Sequence, residues 1–224
     1  MSRSKKIFKL IAAKRPELVL CQDRLVVVPT GDILRGFILE TTTEKDMVYL
    51  WRVIMPLYQP RRGEYLDYSN RIGDGEKIYV NRKAYRESAE VIDAIIAPHI
   101  PVLKEIFHAR DFLKHVDWMI GNNSVRFLFD LALTYYRIGD VDQATSILAT
   151  LPREIERFYE AYGSPMGDLM KKGGDPLEDS MKQAARQIAF DPIGFAALLD
   201  EWERRNIETL GLQATRLPSA QSSH

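Results

Sequence analysis

One cysteine, four histidines and no excess of either charge leave this chain poor in the residues that most readily announce a function. With Cys21 alone, an internal disulfide is excluded, and a reducing compartment, the cytoplasm, is the expected setting. Lys plus Arg equals Asp plus Glu at 31 each, which excludes a global field that would steer the chain to nucleic acid or an anionic membrane. No window approaches the roughly 20 apolar residues that span a bilayer. The N-terminal stretch MSRSKKIFKLIAAKRP has the basic-then-apolar order of a targeting peptide, but Lys9, Lys14 and Arg15 interrupt its apolar run. Glycine-rich phosphate or dinucleotide loops and a nucleophile elbow are also missing. No catalytic residue and no cofactor is therefore assigned, and no membrane is expected as a partner.

What is present is ordinary globular material, 46% hydrophobic and 28% charged over 224 residues. The spacing predicts a short helix from Ser4, read as its cap, to Ala13. Four β-like runs follow between Leu18 and Tyr58, with turns at Gln22 and Asp23, at 29–32 and at 43–46. An antiparallel meander is the simplest topology for them. The runs Leu25 to Val28 and Val48 to Leu57 are continuously apolar, which implies burial on both faces under the C-terminal helices. Gly73 and Gly75 signal a turn before a strand from Ile78 to Val80. Helices are expected over 83–97 and 102–120, then from Ser124 onward. The last of these are opened by Asp175 before Pro176 and by Asp191 before Pro192, a capping carboxylate ahead of proline at the first helical position. The fold class read from this is α+β: residues 1–80 an antiparallel sheet with an N-terminal helix, 81–211 a helical region continuous with it as one domain, and 212–224 a disordered tail.

The stretch Leu128 to Leu151 carries the clearest pattern. Leu128, Leu131, Ala132, Tyr135 and Tyr136 recur at helical spacing, Gly139 and Asp140 break it, and Val141, Ala144, Ile147, Leu148 and Leu151 resume it. Two antiparallel helices with a short connection result, closed by Pro152. Leu128, Leu131, Ala132, Tyr135, Gly139, Ala144 and Leu148 fall at the spacing of one tetratricopeptide-type hairpin, so residues 125–151 resemble that family. The family's function, peptide binding by stacked hairpins, needs roughly three or more copies. No second copy is found here, and Glu156 stands where the family often has proline.

Three constellations bear on function. Between Trp51 and Arg71, arginines interleave with tyrosines. Tyr58, Arg61, Arg62, Tyr65, Tyr68 and Arg71 have the composition of protein-binding hot spots, with Tyr136 and Arg137 at the end of the central hairpin as a second partner-binding place. The same Arg and Tyr residues could stack single-stranded nucleic acid, but Glu64 and Asp67 cancel much of the charge. His108, Asp111 and His115, at offsets of three and seven in the helix expected over 102–120, share one helical face and are weak metal candidates for a hydrolase. That face lies opposite the apolar stripe, so no metal site is assigned. The reading these observations favour is a non-enzymatic protein whose partner is another protein: an adaptor, or a toxin-neutralising inhibitor of the bacterial immunity type.

Overall fold

The computed structural model describes residues 2–60, 68–73, 75–81, 83–117, 124–161 and 176–216. Its elements, in chain order, are α1 (Arg3–Ala12), β1 (Leu18–Cys21), β2 (Arg24–Val27), β3 (Ile33–Thr41), β4 (Met47–Pro56), β5 (Asn70–Ile72) and β6 (Ile78–Tyr79). Then come α2 (Tyr85–Ile96), α3 (His99–Glu105), α4 (Ala109–Val116), α5 (Val125–Arg137), α6 (Val141–Ala161), α7 (Pro176–Phe190), α8 (Pro192–Leu210) and a 3-10 turn at Gln213–Thr215. The protein is α+β, with an N-terminal antiparallel sheet and a helical C-terminal half. Two compact units partition it: Met1–Leu57 with Gly63–His108 and Ile207–His224, and Tyr58–Arg62 with Ala109–Asn206.

In the first unit the strands follow the order β1-β2-β3-β4-β5, all antiparallel, with β6 also pairing β4. Register fixes two faces, because residues directly opposite in antiparallel strands share a side. The inner face carries Leu25, Phe37, Leu39, Val48, Leu50, Ile54, Ile72 and Ile78, all buried. Ile7, Phe8 and Ile11 of α1 supply apolar cover, since α1 packs on β1 and β2, and on α2, while α3 packs on β2 and β3. The sheet is thus covered from within its own unit, which is why residues 83–108 belong with it rather than with the later helices.

The outer face is covered over one half only. Cys21, Val26, Leu34, Met55 and Leu57 form a buried cluster with Leu210 and Leu212, flanked by Val19 and Ile207. Leu212, expected to begin a frayed tail, is fully buried, and Thr30 N donates to Thr215 O (2.8 Å), with the two threonine hydroxyls 2.7 Å apart. Residues 217–224 lie outside those described. Continuous burial of the β4 run holds for Val53 to Leu57, with Met55 and Leu57 packed under this C-terminal segment and Ile54 on the inner face. It fails for Tyr49 and Trp51, which alternate outward from buried Val48 and Leu50.

Arg35 organises the inner face at its α3 end. Its guanidinium donates to Leu103 O (3.2 Å), Lys104 O (3.4 Å) and Pro29 O and lies over the Phe107 ring, with the residue only 2% exposed. By taking carbonyls of the last α3 turn it satisfies groups that a continuing helix would use internally. One helix over 102–120 is therefore not what forms: α3 ends at Glu105 and α4 starts at Ala109. The apolar stripe shifts with it, so Leu103 is buried and Val102 is 44% exposed. Ser4, expected to cap α1, lies inside it, and Ser2 is the cap, accepting from Lys5 N at 3.3 Å.

The second unit is built on α5 and α6, packed together about a Gly139 turn whose φ of 89° suits glycine. Asp140 Oδ1 accepts from Gln143 N (3.1 Å) at the start of α6. Ala132 and Ala144 are both buried in the hairpin. Pro152, expected to close it, instead sits inside α6, which runs on to Ala161. α4 packs on α5 and α7 on α6, with Phe112, Phe129, Met181, Phe195 and Trp202 in the core. Asp191 caps α8 through Gly194 N (2.9 Å).

Candidate functional site: an aromatic and arginine face on the sheet

The open half of the outer face is set by strand alternation. Tyr49 and Trp51 on β4 stand beside Glu40 and Ile38 on β3, Arg71 on β5 lies opposite Trp51, and Tyr79 on β6 lies opposite Met47. The Arg71 guanidinium stacks 3.6 Å from the Tyr49 ring centroid and 4.9 Å from that of Trp51. Glu40 Oε2 accepts from Trp51 Nε1 (2.7 Å) and lies 3.5 Å from Arg71 Nη2. Side-chain exposure remains at 39% for Arg71 and 46% for Glu40, and Tyr79 is 61% exposed. Such exposed ion pairs and cation–π contacts contribute about 1 kcal/mol each or less. Their effect is to hold two aromatic rings, Tyr49 and Trp51, and a cation in fixed places rather than to hold the fold together.

Of the residues expected to bind a partner, Arg71 takes part in this face. Tyr58 does not, because it is fully buried in the second unit, its hydroxyl 2.9 Å from Thr134 Oγ1. Thr134 gives its own proton to Asp130 O (2.6 Å), so the tyrosine is the donor. Tyr68 is only 7% exposed. Arg61, Arg62 and Tyr65 lie outside the described residues. Tyr136 and Arg137 are engaged within their own unit: Tyr136 donates to Pro192 O (2.5 Å) and packs edge-on against Phe195. Burial, then Asp191, pushes its phenol above the ordinary value. Arg137 binds Asp200 and Glu203, each at 2.5 Å, and sits over the Tyr58 ring.

His108, Asp111 and His115 do not share a helix face, since His108 precedes α4. Its Nδ1 lies 3.7 Å from Asp32 Oδ2, while Asp111 is 3.9 Å from Lys114. Among the described residues no group of three or more His, Cys, Asp or Glu is placed to hold a metal ion. Cys21 is buried, which pushes its thiol up in spite of the nearby Arg24 charge. Among the described residues no helix is long and apolar enough to cross a membrane.

Sequence reasoning missed Glu40, Tyr49, Trp51 and Tyr79. Their signal was the i, i+2 spacing of Tyr49 and Trp51 inside a run read as uniformly buried. Also missed was an apolar corner between α7 and α8, where Phe190 is 88% and Ile193 86% exposed. No family model matches the chain, and no curated protein or solved structure matches it.

Proposed function

We propose that the protein acts by binding another protein, as an adaptor or a stoichiometric inhibitor of the immunity type, through the outer sheet face of Glu40, Tyr49, Trp51, Arg71 and Tyr79. One observation carries this reading: Arg71 is stacked on Tyr49 and Trp51 and tied to Glu40 while remaining open to solvent. Aromatic and arginine side chains dominate binding energy at protein interfaces, and rings already fixed in place lose little entropy on association. The tetratricopeptide-like hairpin adds a second, weaker support for the same class of function. A reducing compartment, the cytoplasm, is part of the proposal and rests on Cys21 as the only cysteine.

The test is co-purification from the native host with wild-type protein and with Trp51→Ala/Arg71→Ala, followed by titration of the purified partner. Affinity is expected to fall about a hundredfold or more in the variant, on the order of two hot-spot truncations. Undiminished affinity overturns the assignment of this face. Recovery of nucleic acid alone, in place of a protein, overturns the partner class.

A further inference from the structure

Among the described residues three arginines lie over aromatic rings, and they differ in how many of their donors are taken. Arg35, over Phe107, gives its N–H groups to the carbonyls of Pro29, Leu103 and Lys104. Arg137, over Tyr58, gives Nη1 to Asp200 and Nη2 to Glu203, two carboxylates on α8. Arg71, over Tyr49 and Trp51, gives Nη2 to Glu40 at 3.5 Å. Its Nε and Nη1 have no hydrogen-bond partner among the described residues, and its side chain is 39% exposed.

Arg71 and Arg137 correspond in detail. Each guanidinium sits over a tyrosine, 3.6 Å from the ring centroid for Arg71 and 6.0 Å for Arg137, and each holds a carboxylate on Nη2. On Nη1 they part, since Arg137 is bonded there to Asp200 at 2.5 Å and Arg71 is unbonded. Glu40 does not exhaust the Arg71 charge. A charge-assisted bond closes to about 2.7–2.9 Å, and the Glu40 oxygen that Arg71 meets at 3.5 Å already accepts from Trp51 Nε1 at 2.7 Å. The two rings and Glu40 nevertheless fix the guanidinium plane, so an incoming acceptor meets a planar donor that loses little side-chain freedom on pairing.

We propose that the partner is acidic at this point: it sets an aspartate or glutamate carboxylate on Nη1 of Arg71, as Asp200 is set on Arg137, and covers Trp51 and Tyr79 with apolar side chains beside it. This rests on the reading that the outer sheet face binds a protein. Exclusion of water by the apolar neighbours strengthens the ion pair, and the fixed guanidinium selects for the carboxylate's position. Charge favours a single carboxylate over a polyanion. Glu40 and the Lys77–Glu44 pair, which stands two residues before Tyr79, sum with Arg71 to no net charge, so this face has no field to gather a chain of phosphates.

A random peptide library displayed on phage and selected against the full-length protein, with the best binders synthesised and titrated by fluorescence anisotropy, tests this. The expected peptides share one Asp or Glu beside large apolar residues. Replacing that acid by its amide is expected to weaken binding about tenfold to the wild-type protein and about twofold or less to Arg71→Ala, the coupling that direct pairing produces. Selection against Arg71→Glu is expected to return Lys or Arg at the same position. Peptides that need Trp51 but share no acid overturn the inference and leave the face standing, whereas peptides indifferent to Trp51→Ala, or no enrichment at all, overturn both. A thymidine oligonucleotide that displaces the peptides and depends on Arg71 overturns the carboxylate partner. Should Arg71→Ala fail to fold, the acid-to-amide change in the peptide decides alone, since it leaves the protein untouched: a loss under about twofold overturns the pairing.

Discussion

The two faces of β4 were made from neighbouring residues and ended in opposite conditions. Val48 and Leu50 point inward and are 1% and 0% exposed; Tyr49 and Trp51 point outward and are only partly covered. Arginines divide the same way: Arg35 is sealed under α3, Arg71 lies open on two rings, and Arg52 stands between the extremes. The difference teaches that hydrophobic composition alone does not say which surface a strand spends on folding. Leu50 lowers the free energy of the fold by leaving water, whereas Trp51 retains contact area that a second molecule can still desolvate.

The comparison can be broken most easily at Arg35. Arg35→Ala is expected to destabilise by about 3 kcal/mol or more, because it strands the buried Leu103 carbonyl, withdraws a charged donor from the partly buried carbonyl bonds at Pro29 and Lys104 and leaves a cavity; equilibrium urea unfolding checks it, and a loss under about 1 kcal/mol would place α3 without need of this side chain. Leu50→Ala is expected to cost about 3 kcal/mol in the same assay, and Trp51→Ala, one residue away, about 1 kcal/mol. Equal losses would erase the distinction between the faces. In the helical unit, Gln59 is fully buried and its side-chain amide has no hydrogen-bond partner among the described residues. Gln59→Met is expected to stabilise by about 1 kcal/mol, measured by the shift in unfolding midpoint, since it removes that desolvated amide.

The smallest effect concerns pH. His99 has its folded-state basicity lowered by burial and then by Arg52. The unfolded chain therefore takes up the proton first as pH falls, and stability declines from about pH 6.5 downward until the folded imidazole also protonates. His99→Gln is expected to flatten that part of the stability profile, and an unchanged slope would show that His99 is not its source.

Much of the fold was legible because it rests on period and punctuation. Strand alternation, the two-residue Gln22–Asp23 turn between β1 and β2 and the Asp191–Pro192 cap are local, the Asp191 carboxylate acting on backbone three residues on. Long-range contacts were not legible. The break between α3 and α4 is set by Arg35, more than sixty residues earlier, and the burial of Leu212 depends on the outer side of β1 and β2. Pro152 inside α6 shows the converse: a local breaker is tolerated where the helix is held by packing on either side. For the site, composition found Arg71 but paired it with tyrosines near it in sequence, whereas the sheet pairs it with Tyr49 and Trp51 across strands. Tyr58 was misread for the same reason, since nothing local to it reveals Thr134 as its partner.

The account stands on the aromatic row being dispensable for folding, and the unfolding free energy of Tyr49→Ser/Trp51→Ser/Tyr79→Ser measures that directly without a partner in hand. The expected outcome is a loss of about 2 kcal/mol or less with an unchanged denaturant slope, the sum of exposed cross-strand contacts. A loss above about 5 kcal/mol, or a chain that no longer folds, would make these rings part of the core and contradict the assignment of this face to a partner.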